Sequence, residues 1–207
     1  MSDPGTVFLV DDEPGMLKAL TRLLSAEGFA VKSFRSAADF LAEHTPELSG
    51  CLVLDVAMPG LDGIALQQQL LGSGSLIPII FLTGHGDIPM SVRAIKLGAV
   101  DFLTKPVKAA ELVSAVQAAL KIAGERAAGS QASRELRERL VRLTPREHEV
   151  MTHVIAGQLN KQIAAVMGIG EQTVKIHRMR MMEKLGLQSV VELVRAAERL
   201  GVAPHVG

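Results

Sequence analysis

Four apolar runs, far apart in the chain, each deliver a polar group at their end. Asp11 and Asp12 follow VFLV, Asp55 follows CLVL, Thr83 follows IPIIFL, and Lys105 follows DFLT and precedes Pro106. Strands that alternate with helices lie parallel, so their C-terminal ends line one edge of a sheet. Three carboxylates, a hydroxyl and an ammonium then converge at one point. Singly, each reads as a helix-start acid, a turn residue or a surface lysine. Their joint placement is informative.

The spacing predicts five β/α units over residues 5–121. Strands are expected near Thr6–Val10, Ala30–Phe34, Gly50–Asp55, Ile77–Leu82 and Val100–Leu103, and helices over Pro14–Glu27, Ser36–Glu43, Gly63–Leu71, Ile88–Leu97 and Lys108–Ala123. Strands 1, 3 and 4 are almost wholly apolar, as when helices cover both faces of a sheet, whereas AVKSF is mixed and belongs at an edge. The expected fold is α/β doubly wound and flavodoxin-like, with parallel sheet order 2-1-3-4-5. Strands 1 and 3 then flank the topological switch point.

From Thr144 the pattern is all-helical, over Pro145–Ala156, Asn160–Met167, Glu171–Leu185 and Ser189–Leu200. Thr144 before Pro145, with Glu147 three residues on, forms a capping box. Four short helices bury only a small core, which suits a binding module better than an enzyme. Between the two parts, IAGERAAGSQASRELRERL reads as a partly helical linker with a weak point near Gly129–Ser130. Leu136, Leu140 and Leu143 give its second half one apolar stripe; a flexible tether is the alternative. The expected division is residues 1–121, 122–140 and 141–207.

Charge separates the parts. Residues 1–121 carry 9 Lys+Arg against 13 Asp+Glu, while residues 141–207 carry 9 against 6 and four of the six histidines. An acidic part joined to a basic one points to different partners for each. The single cysteine, Cys51, lies in an apolar run and fits a reducing, cytoplasmic compartment. No apolar stretch reaches the roughly 18 residues of a membrane helix, so no membrane partner is expected. With no Trp or Tyr, stacking on single-stranded nucleic acid is a poor fit.

Asp11, Asp12 and Asp55 crowded at the switch point repel one another, and Mg²⁺, which takes a few carboxylates and retains waters, relieves that repulsion. Asp55, at the centre, suits a nucleophile towards an activated phosphoryl group. Lys105 and the metal would offset phosphoryl charge, and the Thr83 hydroxyl would donate to an oxygen.

In the C-terminal part, NKQIAAVMGIGEQTVKIHRMRMMEKL reads as helix, short Gly-containing turn, helix. On the second helix Val174, His177, Met181 and Leu185 share one face, expected to be core, His177 included. Gln172, Lys175, Ile176 and Met179 share another, placed to enter a major groove. Lys175 can read guanine O6/N7, and Ile176 or Met179 can meet thymine methyls; a protein interface is the alternative for those two. Lys161, Arg178 and Arg180 suit phosphate contacts.

Residues 5–121 resemble the receiver domain of two-component response regulators through VFLVDDE, LVLDVAMPGLDG, FLTGHGD and GAVDFLTKP. The resemblance implies that Asp55 is the phosphoacceptor. It implies that Asp12, Asp55 and the backbone carbonyl of Ala57 bind Mg²⁺, with Asp11 assisting through water, and that Thr83 and Lys105 grip the phosphoryl group. It further implies a cis Lys105–Pro106 peptide and a switch role for Phe102, which also suits simple core packing. Residues 141–200 resemble the LuxR-type DNA-binding domain through LTPREHEV, NKQIAAVMGI, TVKIHR and EKLGLQS. Gly170 departs from that family's usual better N-cap, a small change because glycine still caps acceptably. The last helix, with Val190, Val191, Leu193 and Val194, is that family's dimer contact, or packs within the module. The two domains together resemble the NarL/FixJ family, and HGDIPM after strand 4 points to its FixJ-like subgroup.

The expected function is a phosphorylation-dependent regulator of transcription, an activator on family grounds, that is not an enzyme. Its implied partners are a sensor histidine kinase, double-stranded DNA, RNA polymerase and, on phosphorylation, a second copy of itself. One rival keeps DNA binding with a constitutive or protein-controlled receiver. Another makes the acid site a phosphatase for outside substrates, for which no substrate pocket is legible.

Overall fold

The computed structural model describes residues 5–45, 48–84 and 88–205. The chain divides into two compact units, Met1–Ala128 and Gly129–Gly207.

In the first unit, strands β1 (Thr6–Val10), β2 (Ala30–Phe34), β3 (Gly50–Asp55), β4 (Ile79–Thr83) and β5 (Asp101–Thr104) form a parallel sheet in the order β2-β1-β3-β4-β5. That is the expected order, with AVKSF at an edge. Successive strand residues face opposite ways, and the apolar runs divide accordingly. Phe8, Val10, Leu52, Leu54 and Phe81 pack on one face with Phe40 of α2 (Ala37–Glu43), Leu66 and Leu70 of α3 (Gly63–Gly72) and Ala94 of α4 (Ile88–Lys96). Val7, Leu9, Cys51, Val53 and Ile80 pack on the other with Leu17, Leu20 and Leu24 of α1 (Pro14–Ala26) and with Leu112, Val116 and Ala119 of α5 (Ala109–Val141). Each buried Val, Leu, Ile or Phe among them contributes roughly 1.5–3 kcal/mol by leaving water. Together they fix the strand register and so the positions of the strand ends.

β4 starts at Ile79 rather than Ile77. Pro78 has no N–H to give a ladder and only accepts, its carbonyl taking the Leu52 N–H at 2.9 Å. Gly63 holds α3 against the end of β3: its N–H donates to the Val56 carbonyl at 3.0 Å. A Cβ there would fall 2.3 Å from the Asp55 carbonyl oxygen. Because that neighbour is backbone and cannot swing aside, Gly63→Ala is expected to destabilise the first unit by about 3 kcal/mol. Urea unfolding followed by circular dichroism measures it, and a wild-type midpoint would show that α3 shifts freely.

α5 corrects the linker expectation. It runs unbroken from Ala109 to Val141, 33 residues, through Gly124 and Gly129. Each glycine weakens a helix by about 1 kcal/mol relative to alanine, but the flanking Ala, Glu, Arg and Gln are good helix formers. Ser133 Oγ donates to the Gly129 carbonyl at 2.9 Å and Gln131 Nε2 to Glu135 Oε1 at 3.0 Å, both one turn apart. The division between the two units falls within this helix.

The second unit adds α6 (Pro145–Ile155), α7 (Asn160–Met167), α8 (Glu171–Leu185) and α9 (Val190–Leu200). Their core includes Val150, Met151, Ile163, Val174, Met181, Leu185 and Leu193, joined by Leu136 from α5. His177 departs from the expected core face: it is half-buried, while Val174, Met181 and Leu185 are buried. The Thr144 capping box forms, with the Glu147 N–H donating to Thr144 Oγ1 at 3.3 Å and the Thr144 N–H to Glu147 Oε2 at 2.8 Å. Lys184 Nζ donates to the same Glu147 oxygen at 2.6 Å.

Burial of Glu147 favours the neutral acid, but the hydrogen bonds from Lys184 and Thr144 and the Lys184 charge outweigh it and lower the pKa. A lowered native pKa stabilises the fold above the ordinary carboxylate range, and the benefit is lost as pH falls through the native value. Glu147→Gln is therefore expected to cost the second unit about 2 kcal/mol at pH 7, with the gap to wild type closing on acidification below pH ~4.5. Urea titrations at several pH values measure this. A gap that does not vary with pH would remove the ion pair as its source.

Candidate functional site

The C-terminal edge of the sheet gathers the polar groups. Asp11 leaves β1, Asp55 ends β3, Thr83 ends β4 and Lys105 follows β5. Register brings the last two strands level there: Thr83 is opposite Thr104, and the Lys105 N–H donates to the Thr83 carbonyl at 2.7 Å. Ligand oxygens of Asp11, Asp12 and Asp55 lie within 4.8 Å of one another. Asp11 and Asp55 are buried, at 2% and 5% exposure, while Asp12 faces solvent. Lys105 Nζ bridges the two buried acids, 2.7 Å from Asp11 Oδ2 and 3.3 Å from Asp55 Oδ2. Asp11 Oδ1 accepts the Glu13 N–H at 2.8 Å. The Lys105–Pro106 peptide is cis.

One ammonium against three carboxylates leaves the cluster negative. Burial raises the Asp55 pKa; Lys105 opposes that rise and the Asp11 charge adds to it. Burial alone would lower the Lys105 pKa, but the Asp11 hydrogen bond and charge, with Asp55, raise it above the ordinary lysine value. Lys105 therefore stays an ammonium. Asp55 Oδ1 is buried and has no hydrogen-bond partner among the described residues. An all-oxygen, net-negative set with an unsatisfied buried oxygen fits a hard divalent cation such as Mg²⁺.

Thr83 is buried at 2% exposure beside this cluster, and Ala57 lies exposed two residues beyond Asp55. Phe102 is half-buried in β5, its ring centroid 6.0 Å from that of Phe81. Of the HGDIPM run, residues 85–87 lie outside the described residues.

On the second unit, Gln172, Lys175, Ile176, Met179 and Arg180 are exposed along α8, and Lys161 is exposed on α7. Ile176 and Met179 are 39% and 62% exposed. Arg178 differs from these: it is half-buried, and its Nη1 donates to Asn160 Oδ1 at 2.9 Å, linking α8 to the start of α7. The Arg178–Asn160 pair was not legible from spacing, because its partners lie 18 residues apart on different helices. Gly170 caps α8 without a side-chain hydrogen bond. On α9, Leu193 is buried and Val194 half-buried, whereas Val190 and Val191 are 38% and 62% exposed. That helix thus supplies core and leaves apolar surface outside.

Residues 7–117 match the family described as the response regulator receiver domain, and residues 141–197 match the luxR family of bacterial regulatory proteins. The chain is 46% identical over 201 residues to the response regulator protein TodT of Pseudomonas putida, covering 97% of this chain and 88% of TodT. It is 41% identical over 203 residues to the transcriptional regulatory protein FixJ of Bradyrhizobium diazoefficiens, covering 98% of each. Among solved structures it is similar to the response regulator StyR, with TM-score 0.81 and 45% identity over 94% of this chain and 98% of that one. It is also similar to full-length FixJ from B. japonicum, with TM-score 0.56 and 40% identity over 95% and 97%.

Proposed function

This chain belongs to the NarL/FixJ family of response regulators, FixJ-like in type, with a receiver domain and a LuxR-type DNA-binding domain, and from that premise we propose that phosphorylation of Asp55 controls its binding to DNA. The observation that carries the proposal is the buried Asp55 Oδ1, unpartnered among the described residues, beside a lysine shared with Asp11. The protein is cytoplasmic, and a sensor histidine kinase presents a phosphohistidine to it. An Asp55 carboxylate oxygen attacks phosphorus, the P–N bond breaks as the P–O bond forms, and the imidazole leaves with the electron pair. Lys105 draws the phosphoryl oxygens by charge, and the Thr83 hydroxyl donates to one of them. Asp11, Asp12, Asp55 and the Ala57 carbonyl are the residues that would hold Mg²⁺. When bound, that ion offsets the negative charge of the acids and of the incoming phosphoryl group.

The acyl phosphate adds charge and acceptor oxygens, which draw Thr83 and its loop inward. Phe102, only half-buried against Phe81, has room to follow. The face of α4, β5 and α5 is then remade, and Val92 and Ile95 on α4, 45% and 47% exposed, are apolar surface suited to a second copy. A dimer presents two α8 helices to half-sites about 10 base pairs apart, or a multiple of that. Recruitment of RNA polymerase would make the outcome activation.

The test is DNA affinity and oligomeric state with and without a small phosphoryl donor and Mg²⁺, using genomic fragments as probes. Dimerisation and tighter binding only in the treated wild-type chain are expected. Equal affinity with and without donor would mean that the receiver is constitutive or answers to protein partners.

A further inference from the structure

The C-terminal end of α8 is held by the helix that leads into the second unit. Arg139 on α5 is half-buried, and its Nη1 donates to the Leu185 carbonyl at 3.2 Å. Leu185 is the last residue of α8, where carbonyls have no partner within the helix and the dipole is negative, so a guanidinium suits it twice over. Gly186 leaves the space for it: residue 186 has φ +69°, and a Cβ there would fall 2.6 Å from Arg139 Nη1. Lys184, one residue before the end of α8, donates to the Arg142 carbonyl at 3.4 Å and to Glu147. Leu136 anchors the same stretch of α5 in the core around α8. By contrast, the α8 N-terminus has only a glycine cap. The exposed stripe of Gln172, Lys175, Ile176 and Met179 thus sits on a helix fastened at its far end.

We propose that Arg139 is a positioning residue for DNA binding, fixing the direction of α8 from the end of α5 without itself touching DNA. Because α5 also supplies Leu112, Val116 and Ala119 to the receiver core, one helix carries side chains of both cores and the group that fastens α8. The proposal rests on the reading of α8 as the DNA-facing helix.

The test compares full-length Arg139→Ala, Arg139→Lys and Arg137→Ala with wild type. Arg137 is an exposed neighbour on the same helix, so its variant removes the same charge and gains the same helix propensity. Affinity for the DNA fragment bound by wild type is measured across a salt series, and amide hydrogen exchange is followed at residues 183–187. Arg139→Ala is expected to weaken binding about tenfold with an unchanged salt slope. It should also speed exchange at the end of α8, with Arg139→Lys restoring part of both. A salt slope shallower by about 0.9 would make Arg139 a phosphate contact and overturn the proposal. An affinity loss no greater than that of Arg137→Ala, or unchanged exchange, would overturn it as well. Should wild type bind no DNA, the DNA-binding reading fails, while the exchange comparison still decides whether Arg139 holds α8.

Discussion

Asp55→Asn is expected to abolish phosphoryl uptake from small donors and from a kinase while leaving the receiver folded. The carboxamide matches the carboxylate in shape, but it offers no anionic oxygen to bond to phosphorus. Lys105 loses its 3.3 Å partner and keeps the 2.7 Å one on Asp11, so the ammonium is not stranded. Stability should not fall. Burial and the Asp11 charge raise the Asp55 pKa despite Lys105, so the ionised group strains the native state. A raised native pKa means stability present below the ordinary carboxylate range and lost as pH rises through the native value. Asn removes that loss. Without divalent cation the variant should therefore be at least as stable as wild type at pH 7, with the advantage fading on acidification below the ordinary range. Intact-mass measurement after donor treatment reads uptake, and thermal unfolding at several pH values reads stability. Uptake by the variant at the wild-type rate would take the role away from Asp55.

The sequence was most legible where chemistry and periodicity coincide. Fully apolar runs with a polar terminus announced the parallel strands, and the alternation of Phe8, Val10 against Val7, Leu9 split cleanly over the two sheet faces. The clustering of Asp11, Asp12, Asp55 and Lys105 followed from topology alone, since parallel strands must bring their ends together. Legibility failed where glycine was read in isolation. Gly129–Ser130 reads as a weak point in a partly helical linker, yet its neighbours carry the helix through to Val141, and only the division between the two compact units falls there. It failed again on α8, where helical spacing assigned His177 to the core. His177 lies at the margin of the apolar stripe and is half-buried, whereas Val174, Met181 and Leu185 are buried. Contacts such as Arg139–Leu185 and Arg178–Asn160 join polar side chains to groups on other helices, and no periodic signal encodes them.

Lys175→Ala is expected to lower affinity for the best genomic site by about 1–3 kcal/mol, roughly 5- to 150-fold, and to relax the preference for one guanine. The lysine is free to make that contact. Among the described residues its ion-pair partner is Glu171 at 3.6 Å, an exposed i,i+4 pair worth no more than about 0.5 kcal/mol, so a base-edge hydrogen bond easily displaces it. Its neighbours argue for the groove. Ile176 and Met179 keep 39% and 62% of their surface exposed on a helix that also bears Lys175, Arg178, Arg180 and Lys184. Two apolar side chains among cations are too small a patch for a stable protein interface, which needs about 800 Å² from each partner, and two such faces would repel. A polyanion displaying thymine methyls meets both demands. The two readings of Lys175 separate in one experiment, binding to a panel of single-base variants across a salt series. A guanine reader loses affinity at one position. A phosphate contact loses it uniformly across the panel and makes the salt slope shallower by about 0.9, and that result would move specificity onto Gln172, Ile176 and Met179.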